Sequence, residues 1–147
     1  MRGPSWRVFD TNVYVDAIRE GEHGAAFQRL RAAAPRTYLA SVVSAELRAG
    51  AVDDTGRQAV ADLVDRFSRS RRVVTPDAGS WNRAGDLLAD IWRKEPRSRD
   101  KVLSLWNDAL IALSARQVGA TVVTKNVGDF ALLRRHARFE YEPFESS

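Results

Sequence analysis

The sequence predicts an α/β protein, a central and mostly parallel sheet of four or five strands with helices on both faces. Three observations carry this. Short β-rich runs recur along the chain, among them "RVFD", "TYLA", "RVVT" and "ATVVT". Between them lie stretches whose apolar residues keep helical spacing. Strands alternating with helices give a parallel sheet covered on both faces. No repeat or low-complexity segment breaks the pattern, and 147 residues suit one domain with a sizeable core. The expectation is a single domain spanning residues 1–147.

The elements follow in order. Trp6 to Asp10 reads as a buried first strand. Thr11 or Asn12 then caps a helix through Glu20, with Gly21 as its stop. A second helix runs from about His23 to Ala34, where Pro35 ends it. Thr37 to Ala40 is a short strand, and Ser41 caps a helix to Gly50. Asp53 or Asp54 caps a longer helix with Leu63, Val64 and Phe67 on one face. Arg72 to Thr75 forms a third strand. Pro76-Asp77 starts a helix in which Trp81, Ala84, Leu88 and Ile91 share a face. Arg93 to Lys101 reads as a polar loop and Leu103 to Val118 as a strongly apolar helix. Ala120 to Thr124 is a fourth strand. A short helix and a last strand near Phe139 close the chain.

Composition narrows the function classes. Hydrophobic residues are 44% and charged residues 29%, an ordinary globular mixture. No apolar run approaches the roughly 20 residues that span a membrane. The start, "MRGPSW", is followed by no apolar leader region. With no cysteine, disulfides and thiolate metal sites are excluded. These features agree with a cytoplasmic protein. The net charge is +4 and the pI about 9.9, compatible with a polyanionic partner. Arginine greatly outnumbers lysine, which occurs only at Lys94, Lys101 and Lys125. Guanidinium suits bidentate phosphate contacts, although a biased coding composition accounts for the same excess.

Four acids stand where packing has little use for them. Asp10 ends the first strand, Glu46 lies within the helix after the second, and Asp108 interrupts the apolar "LWNDALIALSA". Asp129 follows the fourth strand. In parallel sheets ligands bind beyond the carboxyl ends of the strands, and all four fall at or near that edge. Each has a plain alternative: Asp10 as an N-cap, Glu46 as a solvated helix residue, Asp108 as the partner of a buried arginine, Asp129 as a cap. All four alternatives holding at once is a weaker account than one shared site. Converging carboxylates repel unless a cation joins them. Oxygen ligands favour Mg²⁺ or Mn²⁺. Zinc prefers histidine and cysteine, and His23 and His136 have no second histidine at ligand spacing. Such acid clusters activate water for in-line displacement at phosphorus.

The blocks "FDTNV", the Glu46 helix, "NDALIALSA" and "VVTKNVGDF" resemble the four signature blocks of PIN-domain ribonucleases. More narrowly they resemble the VapC toxins of VapBC toxin–antitoxin pairs. The resemblance covers nearly the whole chain, in order. It implies a PIN-like α/β/α sandwich and a Mg²⁺-dependent endoribonuclease that also accepts Mn²⁺. Asp10, Glu46 and Asp108 would be its core metal-binding acids and Asp129 the fourth acidic position. Thr11, Asn12, Thr124 and Asn126 would be supporting polar residues. It further implies an RNA substrate, a homodimer, and a hetero-oligomer with a VapB-like antitoxin. Such an inhibitor would place an arginine or lysine among the carboxylates and cover apolar surface around Val13, Tyr14 and Phe27.

The segment before Asp108 fits the family pattern less well. It is basic, with Arg93, Lys94, Arg97, Arg99 and Lys101 against Glu95 and Asp100, and reads either as an RNA-contacting rim or as a solvated loop. Trp81 and Trp92 read as core or dimer contacts rather than base-stacking platforms. A dehalogenase-type phosphatase needs a second aspartate where Asn12 stands. A receiver-like signalling domain needs an aspartate ending the third strand, where Thr75 stands. A non-toxin PIN-like RNA-processing nuclease and an inactive RNA-binding module remain as alternatives.

Overall fold

The computed structural model describes residues 5–145 of the chain. The sequence reading of Met1–Pro4 lies outside the described residues. Five strands form one sheet: β1 (Arg7–Phe9), β2 (Thr37–Ala40), β3 (Val73–Val74), β4 (Thr121–Thr124) and β5 (Glu140–Pro143). Their spatial order is β3-β2-β1-β4-β5, and every pairing is parallel. Seven α-helices connect or follow them: α1 (Thr11–Glu20), α2 (Ala25–Ala33), α3 (Ser41–Gly50), α4 (Asp54–Arg69), α5 (Ala78–Lys94), α6 (Trp106–Gln117) and α7 (Val127–Arg134). The result is the expected α/β/α sandwich with five strands.

The sequence explains most boundaries. Asp10 is extended at φ −66° and ψ 157°, and its carboxylate accepts from the Thr11 N–H. Asp10 itself therefore caps α1, in place of the expected Thr11 or Asn12. Gly21 stops the helix at φ +82°, a conformation that excludes most side chains, and its N–H reaches the Ala17 carbonyl. Asp53 and Asp77 cap α4 and α5 by accepting from Gly56 and Ser80. Ser41 does not cap α3; it is the first helical residue, and Ala40 precedes it without a side-chain cap. α2 begins at Ala25 rather than His23, and Pro35 sits in the 3₁₀ turn Ala34–Arg36 that follows it.

The largest departure lies between α5 and α6. α5 runs on through Arg93 and Lys94, and Pro96–Leu105 winds as 3₁₀ turns instead of an open loop. α6 accordingly starts at Trp106, and Leu103, expected inside the apolar helix, is 78% exposed. Proline at the start of the segment fixes φ but donates no hydrogen bond, so a new turn begins there. Of the two readings for Trp81 and Trp92, core or dimer contact, the core reading is corrected. Both are about half exposed on α5, at 51% and 50%, while Ala84, Leu88 and Ile91 are buried. Neither indole belongs to the core.

The core lies between sheet and helices. Val8, Phe9, Leu39, Val122 and Val123 of the central strands are fully buried. α6 is buried continuously from Ala109 to Ala115, so its sequence shows little polar–apolar alternation. A side chain such as Ile111 contributes roughly 1.5–3 kcal/mol by leaving water. Strand order reverses at β1, whose successor in sequence pairs on one side and β4 on the other. A crevice opens beyond the carboxyl ends of strands at such a point. Asp10 directly follows β1, and Asn126 lies just past β4. Among the described residues, no helix is long and apolar enough to cross a membrane.

Candidate functional site

Backbone pairing puts Asp10 into the crevice. Its N–H donates to the Val123 carbonyl at 2.9 Å, which locks the end of β1 against β4. Asp10 is 5% exposed. One oxygen accepts from the Thr11 N–H and the other from the Thr124 hydroxyl, both at 2.8 Å. Burial raises the Asp10 pKa above the ordinary carboxylate value; the Thr124 and Thr11 bonds oppose this, and Glu46 adds to it.

Glu46 is fixed from the neighbouring helix, where Thr11 Oγ1 donates to its Oε1 at 2.7 Å. Asp108 sits in the first turn of α6, half-buried. Its pKa is pushed up to about 7, first by burial and then by the charges of Asp10, Asp129 and Glu46. Asn126 works against the rise by donating to Asp108 Oδ2 at 3.3 Å. The same amide donates to Asp129 Oδ2 at 2.8 Å, so one side chain bridges two acids. Thr124 in turn accepts from the Asn126 N–H at 2.8 Å, which links the bridge back to Asp10.

Asp129 differs from the others. It lies in the first turn of α7 but does not cap that helix, which begins after Asn126. Lys101 reaches from the 3₁₀ segment and ion-pairs with it. Its partial burial opposes ionisation, yet the Lys101 and Asn126 contacts outweigh that and hold its carboxyl below the ordinary value. Asp10, Glu46 and Asp108 have no such basic partner among the described residues. They share one electrostatic field without forming a closed shell: among the described residues, no three acid or histidine side chains make a ready ligand cluster. The donor set suits a hard divalent cation such as Mg²⁺ or Mn²⁺, being all oxygen, with Asp108 destabilised as an anion by its neighbours.

The other candidates separate. Thr11, Thr124 and Asn126 hold the acids directly, whereas Asn12 is exposed and takes no part in this network. Of the basic segment, only Lys101 reaches the acids. Arg93 pairs with Asp90, and Arg99 lies over the Trp92 ring while donating to the Trp92 carbonyl. Lys94 and Arg97 are exposed. The Lys101–Asp129 pair was not foreseen, since 28 residues separate the two and a lysine in a polar run carries no local signal. Val13 and Tyr14 are both buried, and Tyr14 and Phe27 border a largely apolar groove of about 610 Å³. Ile18, Leu30, Leu63 and Phe67 of α1, α2 and α4 are among its other apolar lining residues.

Solved structures with this architecture are known. DNA-bound VapBC from Salmonella typhimurium aligns with a TM-score of 0.65 at 23% identity, over 95% of this chain and 98% of that one. VapBC2 from Rickettsia felis, bound to a DNA fragment from its promoter, aligns with 0.63 at 23% identity and the same coverages. A toxin–antitoxin complex from Klebsiella pneumoniae aligns with 0.53 at 21% identity, over 85% and 90%. At such identities the likeness speaks to the fold. No curated protein matches the sequence significantly. A family model described as the PIN domain matches residues 7–138, from the first residue of β1 to beyond α7. All four acids and both threonines that hold Asp10 and Glu46 fall within that span, and the chain belongs to the PIN-domain family.

Proposed function

We propose that this chain is a Mg²⁺- or Mn²⁺-dependent endoribonuclease and the toxin of a toxin–antitoxin pair. PIN domains are nucleases as a family. The observation that supports the reading is that Asp10, Glu46 and Asp108 act on one another electrostatically at the carboxyl edge of the sheet, without a basic partner among the described residues. These three would hold the cation, with Asp129 beside them. When bound, such an ion activates water and neutralises charge developing at phosphorus. Thr124 and Thr11 orient Asp10, and Thr11 also orients Glu46. Asn126 holds Asp108 and Asp129 at a fixed separation. Burial and the neighbouring acids push the Asp108 pKa up to about 7, so its carboxyl would have to ionise to hold the cation. Lys101 lends positive charge at the rim, where a substrate phosphate approaches.

The toxin part rests on the apolar groove between α1, α2 and α4, which suits the apolar face of an antitoxin helix. It rests also on the fold's likeness to VapBC complexes. The antitoxin would add an arginine or lysine among the acids in place of the metal charge. The exposed Trp81 and Trp92 are available to a homodimer contact. Two measurements test the whole. Inducing the chain alone should arrest growth, and the purified protein should cut RNA only with Mg²⁺ or Mn²⁺. Asp10→Asn should relieve the arrest and slow cleavage roughly a thousandfold, the equivalent of about 4 kcal/mol of lost charge stabilisation. Undiminished toxicity from well-expressed Asp10→Asn would falsify the assignment of the site.

A further inference from the structure

α7 carries opposite charges at its two ends. Asp129 lies in its first turn, and Arg134 is its last residue, followed by Arg135, His136 and Arg138. At 1.5 Å per residue, Asp129 and Arg134 are about 7.5 Å apart along the axis. Arg83 of α5 and Arg116 in the last turn of α6 converge on the arginine end. Together these side chains line a depression of about 370 Å³. Glu95 accounts for part of the charge, pairing with Arg135 at 3.1 Å and with His136 at 2.7 Å. Arg83 is used internally, donating to the His136 carbonyl at 2.7 Å. Arg116, Arg134 and Arg138 are exposed and face no carboxylate within ion-pairing distance among the described residues.

From this juxtaposition we infer that the depression formed by α5, α6 and the end of α7 is an exosite for the RNA backbone flanking the cleaved bond. The inference rests on the nuclease reading. The arginines come from three separate helices, so their meeting is a property of the fold and not of one basic run. Guanidinium groups bind phosphate oxygens in bidentate fashion. Because Arg116, Arg134 and Arg138 are exposed, they do not enclose a small anion. A polyanion needs no enclosure, since it gains affinity by releasing counterions wherever its phosphates are neutralised. Lys101 of the 3₁₀ segment pairs with Asp129 in the first turn of α7, and Glu95, just before that segment, pairs with His136, just after α7. A strand presenting a phosphate to the acids therefore reaches the arginine end within a few nucleotides. Phosphate contacts position a strand but do not read its sequence. The exosite sets register and affinity, not base preference.

The test is binding of a labelled single-stranded RNA of roughly 12 nucleotides in EDTA, where nothing is cut, across a salt series. The full chain is compared with the triple variant Arg116→Gln/Arg134→Gln/Arg138→Gln and with a control, Arg57→Gln/Arg69→Gln on α4. The triple variant should bind at least about tenfold more weakly at low salt. Its slope of log affinity against log salt should be shallower by about 2, at about 0.7 per lost phosphate contact. The control should match wild type, and the loss should be equal for RNAs of different sequence. If the triple variant melts below wild type, Arg116→Gln and Arg138→Gln singly should each lower the slope by about 0.7. An unchanged slope overturns the exosite, as does a loss confined to duplex DNA. Cleavage with Mn²⁺ is scored separately. A chain that cuts RNA while the arginine variants bind normally loses the exosite and keeps the nuclease. One that binds through these arginines yet cuts nothing keeps the exosite and loses the nuclease.

Discussion

The acidic crevice and the arginine depression both gather like charges, and they do so under opposite conditions. At the crevice the groups are wholly or partly buried, and Asp108 is forced up to about pKa 7. At the depression Arg116, Arg134 and Arg138 stand exposed, where water screens each from the others. Burial is therefore what turns a cluster of like charges into an energetic demand for a counter-ion. Exposure lets the same clustering persist at little cost, ready for a polymer of opposite charge. Within the crevice the contrast repeats on a smaller scale. Asp129 is satisfied by Lys101, while Asp10, Glu46 and Asp108 share only hydrogen-bond donors.

The sharpest way to break the comparison is to remove the buried charge. Asp108→Asn should melt no lower than wild type in EDTA at pH 8, because an amide needs no counter-ion. Wild type should gain about 2.7 kcal/mol at a Mn²⁺ excess of a hundredfold over Kd, and Asp108→Asn much less. A structural ion pair behaves oppositely, losing several kcal/mol in EDTA when one partner is removed. Thermal melts of both proteins in EDTA and in Mn²⁺ decide the matter. Strong destabilisation of Asp108→Asn in EDTA, with wild type indifferent to Mn²⁺, would leave no metal site.

A second effect follows from the pKa of Asp108. The folded chain holds this proton up to about pH 7, whereas an unfolded aspartate loses it near 4. Between those values the folded state binds more protons, so this group's contribution to stability falls as pH rises and is fully lost above 7. Protons and Mn²⁺ compete for the same oxygens. Apparent Mn²⁺ affinity should therefore rise roughly tenfold or more from pH 5.5 to pH 8. Calorimetric titration at both values reads it directly, and a flat profile would mean that Asp108 does not face the ion.

The smallest effect belongs to the satisfied acid. Lys101→Met removes a partly exposed ion pair worth less than about 1 kcal/mol, so the melting temperature should change little. It also returns the full charge of Asp129 to the shared field. The Asp129 pKa should rise, since the Lys101 contact is a main reason it lies low. Mn²⁺ binding should tighten modestly in the same variant. NMR titration of the carboxyl carbons follows the first change and calorimetry the second. An unmoved Asp129 titration would show that Asn126 alone holds it.

How far this was legible depends on the range of the interactions involved. Strands, helix caps such as Asp53 and Asp77, and the four acids announce themselves within a few residues, because spacing and capping chemistry are local. The cap of α1 is Asp10, which the sequence offers only as an alternative to Thr11 or Asn12, since Asp10 both ends a strand and starts a helix. Residues 93–101 were misread for a different reason. Their polarity says only that they face water, and both 3₁₀ turns and open loop do so. Which of five basic side chains reaches the four acids is decided by tertiary structure, which brings Lys101 to Asp129 across 28 residues. The arginine depression is less visible still. Arg83, Arg116 and Arg134 are spread over more than fifty residues of sequence, and no local pattern connects them.

The bond from Thr124 to Asp10 spans 114 residues. During synthesis the ribosome delivers β1 and its aspartate first, and the partner that orients the carboxylate emerges only when β4 does. The parallel pairing of β1 with β4 must wait for the same moment, because no earlier segment supplies the Val123 carbonyl that receives the Asp10 N–H. A nascent chain broken off before β4 has neither Asn126 nor Asp129. Its early helices can form locally, while the crevice cannot close. The topology thus works as a timer. The crevice that gathers the four acids is complete only once β4 and the residues after it have been made.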